Sequence, residues 1–416
     1  CKQFYVTTSL KNGVDASTQN KANVQIFTEE SPTVFVKEAI TFFTTSANTS
    51  VDLSGGTDND PKEFSTNPRV QDQINDPYAL PNACNTTGSV KNYSFTGVVV
   101  IDLENSVFTY TVGAYDLQNE YCFNNATIQI NENAKILVRN GTLHISDSRI
   151  LGCASLWNSI IVEPGATLIM ENTFIEDGEY AIRAKPGAHV EIKNCTFRDN
   201  YIAFFVTDDG GAIPQNIDLV QFYGNVIETQ DALKAPKAGQ KAYAGMLLNN
   251  STGIVVGNET QNRNEFRNLY NGIIAKKSNL AISNSSFYDI GVLPNRDHAI
   301  YAEARPLGLR SISVKGFGKD GDPAFSNCVS GVYLRSMYAV VTDCNMEDVH
   351  FGLRSNRGYN CKINFSNNRI ASNGIAAIGL YSNTPANIRV ENNAIFTNYA
   401  NAAGIVVAEN PVAFAN

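Results

Sequence analysis

Apolar and polar residues alternate in short segments that recur along most of the chain. The recurring pattern is apolar–x–apolar–x–Asn/Asp/Gly–x–x–apolar, and successive copies begin 22 to 34 residues apart. Alternation with period two indicates a β-strand with one buried face. The copies are LHISDSRI from Leu143, LIMENTFI from Leu168, VEIKNCTF from Val190, VQFYGNVI from Val220, LAISNSSF from Leu280, AVVTDCNM from Ala339, INFSNNRI from Ile363 and IRVENNAI from Ile388, with looser copies from Ile254 and Ile312.

A second element, a small residue followed by an aliphatic run, precedes most copies by eight or nine residues. Each unit therefore holds two or three short strands and is too thin to bury its own apolar face, so the units must stack. No unit contains ten residues of helical periodicity, which excludes barrels and doubly wound sheets with connecting helices. We predict an all-β fold, a right-handed parallel β-helix of about ten coils over residues 126–416.

The repeat region resembles a known superfamily. Residues from about 126 onward are similar to pectate-lyase-like β-helices, and LGCASLWNSIIVEPGATLIMENTFIEDGEYAIRAKPGA resembles secreted β-helix surface proteins of Bacteroidetes-type bacteria. The resemblance implies the fold and an extracellular or cell-surface location. It does not specify an activity, because this fold carries many functions.

Residues 1–125 do not follow the repeat pattern. The segments 34–45 and 96–117 read as strands, and a long polar connection rich in Pro, Gly and Asn lies between them. We expect a small N-terminal β-rich region that covers the first coil, because the end of a β-helix exposes unpaired strand edges. Residues 404–416 begin a further coil without an amphipathic helix to cover it, which favours self-assembly through the ends or a contact with other envelope proteins.

Composition narrows the partners. The net charge is −8 and no Lys/Arg cluster occurs, so nucleic acid is excluded. No apolar stretch reaches the length of a transmembrane segment. The first residue is Cys1, which is what lipoprotein signal cleavage leaves, so a lipid anchor at Cys1 is one interpretation.

The eight cysteines show no metal-ligand spacing. Two interpretations remain open. They are buried small apolar residues, or they form disulfides in an oxidising compartment. Candidate disulfides are Cys122 with Cys153, or pairs among Cys328, Cys344 and Cys361.

The fifth position of the pattern is polar although its parity faces inward. We interpret it as a structural ladder at the bend between two strands, because stacked Asn side chains can bond each other and Asn tolerates the left-handed conformation. The ladder residues are Asp147, Asn172, Asn194, Asn284, Asp343, Asn367 and Asn392.

The tenth position carries acidic residues at the next turn, including Asp177, Asp199, Asp289 and Asp348. They either cap turns or form a stripe that binds Ca²⁺ through oxygen ligands. Asp177 and Asp199 lie on adjacent coils and are able to share one ion. No other cofactor is expected.

Three sets of residues are candidates for carbohydrate chemistry. The pair Asp208 and Asp209 can act as acid and base in glycoside hydrolysis, or can form a turn. A family of β-helix polygalacturonases uses an adjacent Asp pair, but its accompanying motifs are absent here. The second set is Arg183, Lys185 and Arg354, which resembles the basic residues of β-helix lyases or consists of solvated charges.

The third set lies in NRDHAIYAEAR, where Asp297, His298, Glu303 and Arg305 are close in sequence. None of the three sets converges convincingly, so we assign no catalytic residue. The sequence favours a noncatalytic secreted or cell-surface β-helix with a structural or adhesive role, such as a filament subunit. The alternative is a polysaccharide lyase, glycoside hydrolase or carbohydrate-binding β-helix.

Overall fold

The structure, a computed structural model, describes residues 50–57, 59–60, 62–63, 92–102, 120–207, 215–291, 297–304, 310–356, 361–381, 387–400 and 402–408. The regular structure within these ranges consists of β-strands. Among these residues no helix is long and apolar enough to cross a membrane. The prediction of an all-β fold is confirmed.

The strands form three parallel sheets that run along the axis of the molecule. The first sheet contains β4 (Glu120–Asn124), β7 (Thr142–Ser146), β10 (Thr167–Glu171), β13 (His189–Lys193), β16 (Gln215–Tyr223), β19 (Ser251–Val256), β22 (Leu280–Ile282), β25 (Ser311–Lys315), β28 (Tyr338–Thr342), β31 (Lys362–Ser366) and β34 (Asn387–Glu391). The second contains β1 (Ser50–Gly56), part of β3 (Asn92–Asp102), β5 (Thr127–Ile130), β8 (Arg149–Gly152), β11 (Phe174–Glu176), β14 (Thr196–Arg198), β17 (Val226–Glu228), β20 (Asn264–Arg267), β23 (Ser285–Tyr288), β26 (Phe325–Ser326), β29 (Asn345–Val349), β32 (Arg369–Ser372) and β35 (Ala394–Thr397). The third contains β2 (Lys62–Glu63), the rest of β3, β6 (Lys135–Arg139), β9 (Trp157–Val162), β12 (Gly178–Ala184), β15 (Ile202–Val206), β18 (Ala244–Asn249), β21 (Asn271–Lys276), β24 (Ile300–Glu303), β27 (Ser330–Arg335), β30 (Phe351–Asn356), β33 (Ala376–Tyr381) and β36 (Ala403–Ala408).

One coil consists of three consecutive strands, one from each sheet. Coil 1 is β4, β5 and β6, and the order repeats to coil 11, which is β34, β35 and β36. Neighbouring coils pair in parallel register, so that Leu168 lies between Leu143 and Val190. The predicted β-helix of about ten coils is therefore confirmed.

The described N-terminal strands continue the same stack. The first half of β3 pairs with β5 and its second half with β6. Gly97, at φ +73°, lies at the bend between the halves. β3 and β4, which precede residue 126, thus belong to the same stack as the strands that follow them.

The core is a single column of inward side chains. Phe266, Phe287 and Phe325 stack on successive coils, with ring centroids 4.8 and 5.1 Å apart and interplanar angles of 12° and 8°. Each ring is essentially unexposed. Parallel register brings identical side chains into contact and so lets one apolar column run through the coils.

The fifth-position residues form the first corner of each coil, between the first and second sheets. Asp147, Asn172, Asn194, Asn284, Asp343, Asn367 and Asn392 all adopt φ between +40° and +58°. The expectation that they face inward is wrong, because all of them are exposed or half-exposed. The left-handed residue turns the chain and directs its own side chain to the surface, where Asn172 Nδ2 donates to Asp147 Oδ1 at 3.2 Å.

The internal ladder lies one residue further along. Asn225 and Asn264 follow the corner in coils 5 and 6, and both are fully buried. Asn264 Oδ1 accepts from the backbone nitrogen of Asn225 at 3.0 Å. A second pair repeats this arrangement, since Asn393 Oδ1 accepts from the backbone nitrogen of Asn368 at 2.9 Å. The amides thus satisfy backbone groups that the turn would otherwise bury without partners.

The cysteines divide into two groups. Cys122 and Cys153 are disulfide-bonded. Cys195, Cys328, Cys344 and Cys361 are buried and form no disulfide, so the alternative of disulfides among Cys328, Cys344 and Cys361 is wrong. These four cysteines act as small apolar residues in the core.

Candidate functional site

The outer face of the third sheet in coils 7 to 10 carries a cluster of aromatic and charged side chains. Alternation along each strand turns every second residue outward, and parallel register aligns these residues in rows across the coils. The first row is Tyr301, Tyr333, Arg354 and Gly379, and the second row is Glu303, Arg335, Asn356 and Tyr381. We call these residues, together with His298, the third-sheet cluster.

Hydrogen bonds connect the two rows. The Tyr301 hydroxyl donates to Glu303 Oε2 and accepts from Arg335 Nη1 at 3.3 Å. Arg335 and Glu303 also form an ion pair at 3.5 Å. Burial and the hydrogen bond to Glu303 raise the pKa of Tyr301, so the phenol remains protonated.

His298 lies under the aromatic part of the cluster and is 3% exposed. Its ring stacks on Tyr301 at 5.7 Å and meets Tyr333 edge-on at 4.6 Å. Burial and the nearby charge of Arg354 lower the pKa of His298 to about 3, so the imidazole is neutral. Its Nδ1 has no hydrogen-bond partner among the described residues.

Arg354 contacts three aromatic rings. Its guanidinium lies 4.9 Å from the Tyr333 ring, 5.3 Å from Phe351 and 5.8 Å from Tyr381. Gly379 makes room for this arrangement, because a Cβ there would stand 2.6 Å from the Tyr381 ring. Stacked rings restrict the guanidinium and hold its charge in a fixed position on the face.

Comparison with known families agrees with this architecture. A family model described as right handed beta helix region matches residues 85–229 and 134–306. Together the matches cover more than half of the 416 residues. The chain belongs to the right-handed β-helix family. A search of curated proteins found no match to it.

In this β-helix, Asp177 and Asp199 lie at the second corner, between the second and third sheets, and both are buried. The loop of residues 229–243, here called the bracing loop, folds back from coil 5 across this corner. Its Lys234 Nζ lies 2.7 Å from Asp177 Oδ2, and Asp199 Oδ1 accepts from the backbone nitrogens of Gln230 and Asp231. Both carboxylates therefore have protein partners.

The pKa values of Asp177 and Asp199 reflect their enclosure. Burial raises the pKa of both carboxyl groups, and the hydrogen bonds from the bracing loop oppose that rise. Lys234 also donates to the carbonyl oxygen of Cys153 at 2.9 Å. The arrangement joins three coils through the ammonium group of Lys234.

The predicted basic set does not come together. Arg183 and Arg354 lie in the same row of the third sheet but six coils apart, roughly 29 Å at the usual strand spacing. Lys185 pairs with Glu163 at 3.0 Å, and Arg183 donates to Thr207 Oγ1 at 2.9 Å. Arg183 and Lys185 are therefore outward charges with local partners.

The third predicted set is partly assembled, because His298 and Glu303 both belong to the third-sheet cluster. Asp208, Asp209 and Arg305 lie outside the described residues. Sequence reasoning missed Tyr333 and Arg335, which come from the following coil. Their signal was the second repeated element, GVYL at 331–334. Its outward aromatic residue is Tyr333, and the next outward residue along the strand is Arg335.

Proposed function

We propose that the protein is a noncatalytic, extracellular β-helix that binds an acidic polysaccharide on the third-sheet cluster. The observation that carries this proposal is the pairing of two fixed guanidinium groups, Arg335 and Arg354, with the rings of Tyr301 and Tyr333 on one face. Guanidinium groups recognise carboxylates and sulfates through paired hydrogen bonds. The half-buried Tyr301 ring offers a flat apolar surface to the carbon-bound hydrogens of a sugar ring, whereas Tyr333 is 8% exposed and supports the guanidinium of Arg354.

Unused hydrogen-bonding capacity supports a polar ligand. Arg335 Nε and Asn356 Oδ1 are buried atoms without a hydrogen-bond partner in the described residues. Buried polar atoms of this kind normally bond protein, water or ligand. Arg335 and Asn356 are neighbours in one row, so both unpartnered atoms lie in the same part of the cluster.

The cluster favours binding over turnover. A base for elimination needs a pKa near the working pH. His298 has a pKa of about 3 and is almost wholly covered, and the raised pKa of Tyr301 keeps that phenol protonated. A polysaccharide lyase or glycoside hydrolase is therefore the alternative, which the experiment below distinguishes.

The extracellular or cell-surface location rests on the disulfides. Cys122 and Cys153 are both disulfide-bonded, and disulfides persist in oxidising compartments. This location also fits a glycan ligand.

The experiment measures binding by affinity electrophoresis and calorimetry against polygalacturonate, alginate and hyaluronan, with dextran as the neutral polymer. We expect salt-sensitive binding of an acidic polymer and roughly tenfold weaker binding in Arg335→Gln and Arg354→Gln. Arg389→Gln is the matched control, because Arg389 is a well-exposed residue of coil 11. The proposal would be overturned if the wild type bound no acidic polymer, or if all variants bound it equally well. Release of unsaturated or reducing ends from a polymer would show that the protein is an enzyme and not only a binding protein.

Self-assembly is a second candidate, and the exposure of coil 11 favours it. Phe396, Ile405 and Val407 are 51%, 47% and 77% exposed. By contrast, Ile378 and Leu380, which are the register partners of Ile405 and Val407 in coil 10, are buried. We propose that a second copy of this chain covers these residues. Sedimentation of the wild type should show oligomers that Val407→Lys disperses; a wild type that remains monomeric at high concentration contradicts assembly.

A further inference from the structure

A polar cavity of about 340 Å³ opens at the second corner of coils 6 to 9. Its wall includes the corner residues of four successive coils, Asn268, Asp289, Asn327 and Asp348. At the usual strand spacing these residues extend over roughly 14 Å along the axis. None of the residues that line the cavity belongs to the third-sheet cluster.

Lys241 and His350 complete the lining together with Val329. Lys241 belongs to the bracing loop, which is anchored by Lys234 on Asp177 and by the Leu156 backbone nitrogen on the Ala235 carbonyl at 2.8 Å. The loop is thus held at its middle, and its end carries an ammonium group to the rim of the cavity. This arrangement preorganises the site before any ligand arrives.

The lining groups differ in how much bonding capacity they have left. Asn327 Nδ2 donates to Asp289 Oδ1 at 2.6 Å, and Asn268 Nδ2 donates to the Thr229 carbonyl at 2.7 Å. Within the described residues, no hydrogen bond or ion pair engages the side chains of Lys241, Asp348 and His350. Three groups that donate or accept are therefore available to a ligand.

The balance of charges selects the class of ligand. Two carboxylates and one ammonium group line the cavity, so an anion would meet a net negative wall. A bound metal ion is not favoured either, because no three His, Cys, Asp or Glu side chains in the described part of the chain are placed to hold one. Walls rich in carboxylate, amide and ammonium groups suit hydroxyl groups, which both donate and accept.

We infer that this corner cavity is a binding subsite for a neutral sugar of one or two rings. The volume lies at the small end of ligand pockets. Asp348 accepts sugar hydroxyls, Lys241 donates to ring or hydroxyl oxygens, and His350 does either. The inference extends the proposed function to a second subsite and uses none of the residues of the third-sheet cluster.

The test is saturation-transfer NMR with maltose, cellobiose, lactose and mannobiose, and with digalacturonate as the acidic probe. We expect at least one neutral disaccharide to bind, and its binding to fall roughly tenfold in Lys241→Ala and in His350→Ala. Val329→Trp should fill the cavity and abolish the signal. Lys362→Ala, an exposed lysine on the first sheet, is the control and should bind as the wild type does.

Thermal unfolding of every variant identifies any that fails to fold. If Val329→Trp does not fold, Lys241→Ala and His350→Ala test the inference without it. No neutral disaccharide bound, or binding unchanged in Lys241→Ala and His350→Ala, overturns the inference. Arg335→Gln separates the two proposals, since it should weaken binding of the acidic polymer and leave binding of the neutral disaccharide unchanged. Loss of disaccharide binding in Arg335→Gln would also contradict a separate subsite.

Discussion

Asn264 Oδ1 accepts hydrogen bonds from the backbone and side-chain nitrogens of Asn225, at 3.0 and 3.3 Å, inside a corner that solvent does not reach. Replacing Asn264 by Leu removes the acceptor and leaves a buried N–H group without a partner. We expect a loss of about 2 kcal/mol in the free energy of unfolding, measured by chemical denaturation.

The control for this prediction is Asn194→Gly. Asn194 is exposed and adopts φ +52°, which glycine accepts without strain. We expect a change within about 0.5 kcal/mol. If Asn194→Gly and Asn264→Leu lower the free energy of unfolding by the same amount, the internal ladder does not stabilise the corner.

The contact between Lys234 and Asp177 gives a second prediction. The Asp177 side chain is 5% exposed, so Lys234→Met leaves a buried carboxylate without its ammonium partner. We expect the free energy of unfolding to fall by about 2 kcal/mol. This is less than for a fully buried pair, because Lys234 itself is 37% exposed. Limited proteolysis should cut the bracing loop faster in the variant.

Lys315→Met is the matched control, since Lys315 and its partner Glu259 are both about half exposed. Surface pairs of this kind contribute little to the free energy of unfolding. A bracing loop cut at the wild-type rate in Lys234→Met would show that the ion pair does not hold it.

The third prediction concerns pH. His189 lies 2.6 Å from Asp218 and 3.1 Å from Glu191 on the first sheet. Burial alone would lower the pKa of His189, but the hydrogen bonds to these two carboxylates outweigh it and raise the pKa. The stabilisation is therefore complete below the unfolded pKa and is lost as the pH rises through the folded pKa.

The measurement compares the melting temperatures of wild type and His189→Gln. The difference should be largest at about pH 5.5 and shrink towards about pH 9. His298, with a pKa of about 3, should stay neutral over the same range. A difference that grows with pH would contradict the assignment.

Cysteine reactivity supplies a fourth prediction. Burial raises the pKa of Cys195, Cys328 and Cys344 to about 12, so their thiols are protonated and covered. Alkylation followed by peptide mass spectrometry should modify these three only after denaturation. Cys122 and Cys153 should be modified only after reduction as well. Labelling of Cys328 in the native protein would contradict the buried core position.

The regular parts of the fold follow from the sequence, because alternation and a repeated turn residue specify strands and corners locally. The internal ladder was missed by one position: the pattern marked Asn194, although the next residue, Cys195, is the one that faces inward. A left-handed residue reverses the expected parity, and strand alternation alone cannot show that.

The third-sheet cluster depends on register between coils of different length. His298 and Glu303 are close in sequence, but Arg335 meets Glu303 only because the loops before β27 absorb the extra residues without shifting the strands. The approach of Lys234 to Asp177 spans 57 residues and three coils. Neither distance in the chain leaves a periodic signal that sequence reasoning can detect.

The bracing loop changes how the rod responds to tension. In a stack whose units touch only their neighbours, a pull from the ends can peel units off one at a time. Here Ala235 of coil 5 pairs with Ser155 of coil 2, and Lys234 binds Asp177 of coil 3, one of the two coils between them. Coils 2 to 5 must therefore rupture together as one block. The molecule thus contains a stiff segment, and the coils that follow coil 5 extend more easily.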